Sequence, residues 1–197
     1  MTLSRRTLFA AVAVTAIPFI YASAADTVRD NPPKGWSVAG TDPQDYEFGT
    51  AQVDGVSGKC AYIKARIDSP SGFGTLVQQI GADTYHGQRL RLSAQMKTDD
   101  SGRAQLWMRV DGPNGKMLGF YNMGDKPITG TTDWTRYDVV LDVPPESVAV
   151  AFGYFLNGRG TAWAREFKLE QVGKDVPVSE FSAKPPPKAP ANMDFGG

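Results

Sequence analysis

The chain has 197 residues, with 21 Lys plus Arg set against 21 Asp plus Glu, so its net charge is zero. That length suffices for one domain with a sizeable core or two very small ones, and the charge balance gives no basic excess to draw the chain to nucleic acid or anionic lipid. One cysteine, Cys60, and one histidine, His86, exclude an intramolecular disulfide and a thiolate or imidazole zinc site. The 21 glycines, 14 prolines and 11% aromatics suit a turn-rich all-β protein.

Residues 1–25 read as an export signal. Ser4-Arg5-Arg6-Thr7-Leu8-Phe9 precedes an apolar run from Ala10 to Ile20, and Ala22-Ser23-Ala24 has the small-x-small pattern of a signal peptidase site. The paired arginines resemble a twin-arginine signal, although Leu8 and Phe9 stand in reversed order and no basic residue follows them; Sec export is the alternative. The apolar run is too short to span a bilayer comfortably. No cysteine follows it to carry a lipid anchor. The mature chain is expected to start near Ala25 or Asp26, in the periplasm or secreted, with no membrane span. Residues 26–35, with Pro32-Pro33, form a lead-in.

From Trp36 the pattern is short strands broken by turns. Trp36–Val38 and Tyr46–Thr50 are separated by Asp42-Pro43, and Cys60–Ala65 follows the turns at Asp54-Gly55 and Ser57-Gly58. Ser69-Pro70-Ser71-Gly72 leads into Phe73–Ile80. Arg89–Lys97 alternates most clearly, with Leu90, Leu92, Ala94 and Met96 on one face and Arg89, Arg91, Ser93, Gln95 and Lys97 on a solvated one. Asp99-Asp100 is expected in a turn. The next strand, Ala104–Gly112, places Leu106, Met108 and Val110 towards a core and Gln105, Trp107 and Arg109 on the other face. Gly112-Pro113-Asn114-Gly115 turns the chain back into Met117–Asn122. A loop is expected from Asp125 to Trp134. Arg136–Val143 is a strand stopped by Pro144-Pro145. Val148–Leu156 is almost wholly apolar, so both of its faces should be buried. After Asn157-Gly158-Arg159-Gly160, the last strand, Ala162–Val172, puts Trp163, Arg165, Phe167 and Leu169 on one face. Eight to ten short strands and no amphipathic helix predict an all-β, two-sheet antiparallel β-sandwich of jelly-roll type over 36–172. Residues 173–197 form a Pro-rich tail in which Pro185-Pro186-Pro187 should be extended, with apolar Met193 and Phe195 near its end.

These residues resemble a known module. Gly35-Trp36, Tyr46, Gly74-Thr75-Leu76-Val77-Gln78-Gln79, Tyr85 to Ser93, Leu106 to Asp111, Gly130 to Trp134, Tyr137 to Pro144, Ala151-Phe152-Gly153 and Gly158-Arg159-Gly160 are similar to the galactose-binding-like jelly roll, close to the carbohydrate-binding modules of glycoside hydrolases. Similar domains occur beside AraC-type transcriptional regulators. This chain has no helix-turn-helix, and its export signal argues against DNA binding. The family's last strand implies an acidic residue near a structural metal. Here Trp163 is followed by Ala164-Arg165-Glu166, which weakens an inherited calcium site, and no cofactor is expected. Asn192-Met193-Asp194-Phe195 is similar to the strand with which relatives often begin, and is expected either to add an edge strand to a sandwich or to be a linker.

The residues favour binding over catalysis. No Gly-x-Ser-x-Gly elbow, Ser-x-x-Lys or His-Glu-x-x-His motif is present. Cys60 and His86 read as structural. A flat aromatic stacks on a sugar ring, and planar Arg, Asn, Gln and Asp groups pair with ring hydroxyls. The candidates for a glycan or other small polar ligand are Gln105, Trp107, Arg109, Tyr121, Asn122, Asp125 and Tyr154. The alternative for Trp107 is a core position capped by Arg109. Trp36, Trp134 and Trp163 are assigned to the core or to strand ends. Two other functions stay open: an envelope protein partner met through the sandwich face or the tail, and a hydrolase built on Asp111, Asp125 and Asp133.

Overall fold

The structure, a computed structural model, describes residues 31–181 and Met193. The export signal, the first half of the lead-in, the Pro-rich run and the rest of the 192–195 segment lie outside the described residues. Nine strands follow in order: β1 Ser37–Gly40, β2 Tyr46–Gln52, β3 Lys59–Ala65, β4 Phe73–Gly81, β5 Arg89–Asp111, β6 Met117–Tyr121, β7 Ile128–Asp142, β8 Ala149–Asn157 and β9 Thr161–Val172. The helical elements among the described residues are short 3-10 turns. No helix there is long and apolar enough to cross a membrane.

All pairings are antiparallel, and β5 belongs to both sheets. Its second half pairs with β8 and β6, completing a first sheet ordered β1-β4-β8-β5-β6. Its first half pairs with β9 and β7, completing a second sheet, β2-β3-β9-β5-β7. The sequence suggests a turn at Asp99-Asp100, but the strand passes straight through. Asp99 stays paired with Thr161, Ser101 with Gly130 and Arg103 with Asn157, so backbone pairing continues round the bend. Three register shifts between Met96 and Ala104 absorb the change of sheet, and Asp100 takes φ 46°. Gly160 meets this bend from the β8–β9 turn. Its φ is +88°, and a Cβ there would lie 2.4 Å from the Asp100 carbonyl oxygen.

The core is what the alternation of β5 predicts. Leu90, Leu92 and Met96 from one sheet and Leu106, Met108 and Val110 from the other are fully buried in one cluster. At 25–30 cal/mol per Å² of apolar area, a Leu or Met packed this way contributes about 1.5–3 kcal/mol. Ala149–Leu156 is buried on both faces as expected, whereas Val148, before the strand begins, is 51% exposed. Tyr46 on β2 ties the second sheet to one end of the β4–β8 pair in the first: its hydroxyl donates to the Gly72 carbonyl at 2.7 Å and accepts from the Gly158 N–H at 3.0 Å.

Two local expectations are corrected. β7 starts at Ile128, so Trp134 lies within a strand and not in a loop. In β9 a bulge breaks the alternation: Ser93 pairs with Lys168 but Gln95 with Arg165, and Glu166 has φ 53°. The extra residue switches faces. Ala162 and Ala164 point into the core, Trp163 and Arg165 point outward, and Phe167 and Leu169 return to the core.

Beyond the sandwich expected over 36–172, residues 173–181 pack back on it. The Arg89 guanidinium donates to the Lys174 and Val176 carbonyls. Ser179 exchanges two hydrogen bonds with the Val140 backbone, and Phe181 stacks 5.0 Å from Tyr121. At the other end, Trp36 packs on Phe167 and Phe152.

Candidate functional site

The outer face of the first sheet is built by the residues of β5 that skip the core. Gln105, Trp107, Arg109 and Asp111 alternate with fully buried Ala104, Leu106, Met108 and Val110. Trp107 is opposite Gly153 of β8, which is in turn opposite Val77 of β4. Its indole Nε1–H donates to Thr75 Oγ1 on β4 at 3.0 Å. The ring must therefore cross β8 to reach the next strand but one, a distance of two strand spacings or about 10 Å. An indole bound this way lies along the sheet with one face turned outward, and Trp107 is half-buried.

Arg109 sits one row along, between Ala151 of β8 and Phe120 of β6. Its guanidinium is ion-paired with Asp111, Nε to Oδ1 at 2.8 Å, which fixes its plane while leaving a third of the side chain exposed. Phe120, 36% exposed, continues the row, and Gln79 on β4 lies at its other end. On the opposite side of Trp107, Phe155 and Phe73 stack at 5.2 Å. The face thus offers one flat indole, an oriented guanidinium–carboxylate pair and an exposed amide.

The other candidates do not join this group. Gln105 shares the face, but it is 3% exposed and its amide donates to the Asn122 carbonyl at 2.7 Å, so it braces the β6–β7 loop. Tyr121 pairs with Met108, not with an outward residue, and is therefore turned into the core. Its hydroxyl donates to Asp125 Oδ1 at 2.8 Å; burial first, then that carboxylate, pushes it up to about 12. Asn122 accepts the Gly124 N–H within the loop. Tyr154 is opposite Leu106 and is fully buried, with burial pushing its hydroxyl well above the usual range.

Nor do the three carboxylates meet. Asp111 lies on the outer face of the first sheet, while Asp133 pairs with Lys97 on the outer face of the second. Asp125 is bound to Tyr121 in the β6–β7 loop. Cys60 is buried, which raises its thiol, and His86 Nε2 is 2.7 Å from the Ser147 carbonyl. No group of three His, Cys, Asp or Glu that could hold a metal occurs among the described residues.

The structure also places aromatics where the sequence does not suggest them. Trp163 and Trp134 are half-exposed on the outer face of the second sheet, and the Arg165 guanidinium lies 4.7 Å from the Trp134 ring centroid. The signal for Trp163 was present in Ala162 and Ala164, two small residues that mark the core side of the strand.

The fold is a two-sheet antiparallel jelly-roll sandwich. No family model matches the chain. It is 42% identical over 151 residues to YbfP of Bacillus subtilis strain 168, an uncharacterized HTH-type transcriptional regulator. That match covers 75% of the chain and 51% of YbfP, so the chain spans about half the length of this relative. Among solved structures, a xylan-binding domain from CBM 22 aligns over 70% of this chain and 87% of its own, with a TM-score of 0.51 and 8% identity. The Stig cyclase Fisc from Fischerella sp. TAU aligns over 80% of this chain and 93% of its own, with a TM-score of 0.53 and 14% identity. At those identities the likeness is one of fold, and the fold serves a binding module and an enzyme alike.

Proposed function

We propose that the chain is an exported, non-catalytic carbohydrate-binding domain whose first sheet stacks a sugar ring on Trp107. The observation that carries this reading is the indole bound across the sheet by its hydrogen bond to Thr75, with Arg109 and Asp111 beside it. A sugar ring has an apolar C–H face and a rim of hydroxyls. The indole matches the first, and the fixed guanidinium–carboxylate pair matches the second. Export rests on the paired arginines, the apolar run and Ala22-Ser23-Ala24. The xylan-binding domain with the same fold makes xylo-oligosaccharides the first ligands to try.

The test is tryptophan fluorescence of the full chain against a panel of soluble oligosaccharides. A saturable change that is diminished in Trp107→Ala, with the β-sheet circular dichroism unchanged, is the expected result. No response from the wild type to any member of the panel contradicts the proposal.

A second reading rests on the likeness to YbfP. YbfP is described as an HTH-type transcriptional regulator; on this reading the present chain would act as a sensor domain whose ligand is a small saccharide effector rather than a polymer. Monosaccharides binding as tightly as oligosaccharides would favour it.

A further inference from the structure

We propose that the outer face of the second sheet is a separate platform for a neutral, extended polysaccharide, centred on Trp163 and Tyr62. The proposal rests on the carbohydrate-binding reading above but uses the opposite side of the molecule.

The wet face of an antiparallel sheet is ordinarily polar. Here one row across the strands reads Tyr62 on β3, Trp163 on β9 and Lys97 on β5, each directly opposite the next. Trp134 on β7 lies just beyond, since its neighbour Asp133 is ion-paired with Lys97 at 3.8 Å. The core does not need these rings. Ile63, Ala162, Ala164 and Met96 fill the inward positions of the same strands and are essentially fully buried.

The rings are also held flat. Tyr62 is opposite Gly49, and a Cβ on Gly49 would lie 2.8–2.9 Å from the Tyr62 phenol. The phenol therefore lies across β2, with its hydroxyl donating to Glu47 at 2.5 Å. At the other end, the Arg165 guanidinium lies against one face of the Trp134 ring, 4.7 Å from its centroid. From the Tyr62 ring above β2 to Trp134 on β7 is four strand spacings, about 19 Å, which is longer than any single sugar ring. That length suits a chain of several sugars lying across the strands.

The charges select against an acidic polymer. Lys97 is paired with Asp133, Arg165 with Glu166, Arg91 with Glu170 and Arg136 with Asp138. The cations beside Trp163 and Trp134 thus already have carboxylate partners, and Lys64, exposed two residues from Tyr62, lies opposite Glu47. Their paired, planar groups remain able to meet neutral hydroxyls.

Two faces on opposite sheets would let one molecule hold two chains, or two segments of one. The experiment is affinity electrophoresis of the full chain through gels containing a soluble neutral polysaccharide, xylan first and then a panel. It compares the wild type with Trp163→Ala, Gly49→Ala, Trp107→Ala and Trp107→Ala/Trp163→Ala. Losing one stacked ring should weaken a site about five- to tenfold. The proposal expects Trp107→Ala to keep partial retardation, Trp163→Ala to lose part of the wild-type retardation, and the double variant to be retarded less than either single variant. Gly49→Ala keeps every aromatic but lifts Tyr62, and should weaken binding as well. It also decides the matter if Trp163→Ala fails to fold. Wild-type retardation in both Trp163→Ala and Gly49→Ala overturns the second platform and leaves the Trp107 site standing. No retardation of any protein, the wild type included, overturns both.

Discussion

Tyr154→Phe should stabilise the protein, contrary to the usual outcome of a core substitution. Tyr154 is fully buried on β8, opposite Leu106, with its ring 5.9 Å from Phe167. Its hydroxyl has no hydrogen-bond partner among the described residues. A buried, unpaired hydroxyl costs about 1–3 kcal/mol relative to one in water. Removing the oxygen recovers most of that cost and leaves a void smaller than a methyl group, which returns a few tenths of a kcal/mol. The net expectation is about 1 kcal/mol of added stability. For a domain of this size that raises Tm by about 2–4 °C. Calorimetry and urea unfolding of the two proteins at neutral pH measure it directly. The oligosaccharide response should be unchanged, because the phenol lies inside the sandwich and away from Trp107. A loss of 1 kcal/mol or more would refute the reasoning, since it would mean that the hydroxyl has a partner it depends on.

Other outcomes follow from particular contacts. Asp142 is held well below the usual carboxylate range, first by its two hydrogen bonds from Arg89 and then by Lys174. A carboxylate with a depressed native value contributes stability that is present above pH ~4 and is lost as pH falls through the carboxylate range. Asp142→Asn should therefore lower Tm at pH 7 and flatten the acid limb of a Tm-against-pH curve; an unchanged acid limb would contradict the assignment. Gly160→Ala should destabilise by about 2 kcal/mol or more, because the new Cβ meets the Asp100 carbonyl at a positive φ; wild-type stability in urea would show that the bend gives way. Tyr121, pushed up to about 12, should stay protonated through the range near pH 10 in which an unperturbed phenol ionises. Its share of stability should decline between pH ~10 and 12 as the unfolded phenol ionises first. Absorbance at alkaline pH, as the difference between the wild type and Tyr121→Phe, reads this, and a Tyr121 signal appearing near pH 10 would contradict it.

The two halves of β5 were legible because each alternates without interruption. Leu90 to Met96 and Leu106 to Val110 identify their own core faces, and Trp107 and Arg109 follow on the outside. What lay between them was not legible. Asp99-Asp100 has the composition of a turn, and only the pairing with Thr161, Gly130 and Asn157 makes it strand. Tyr154 was unreadable for the opposite reason. In Val148–Leu156 no polar residue alternates with the apolar ones, so nothing in the run says which face a tyrosine takes. The phase of β9 fails at Glu166, where a residue that ordinarily avoids positive φ forms a bulge. That bulge separates Trp163 from Phe167 and turns outward a tryptophan that the sequence assigns to the core or to a strand end. Gln105 was placed on the correct face, but its burial depends on the β6–β7 loop, which local alternation does not describe.

The most direct measurement of the central claim is the indole N–H resonance of Trp107, assigned by loss of its cross-peak in Trp107→Phe and followed while a responding oligosaccharide is titrated into the labelled full chain. Its N–H is bound to Thr75 at the centre of the first sheet's outer face, so a sugar stacking on the ring should shift that cross-peak with the same saturation as the fluorescence change. A saturable fluorescence change with the Trp107 cross-peak unmoved would contradict the account and place the ligand elsewhere.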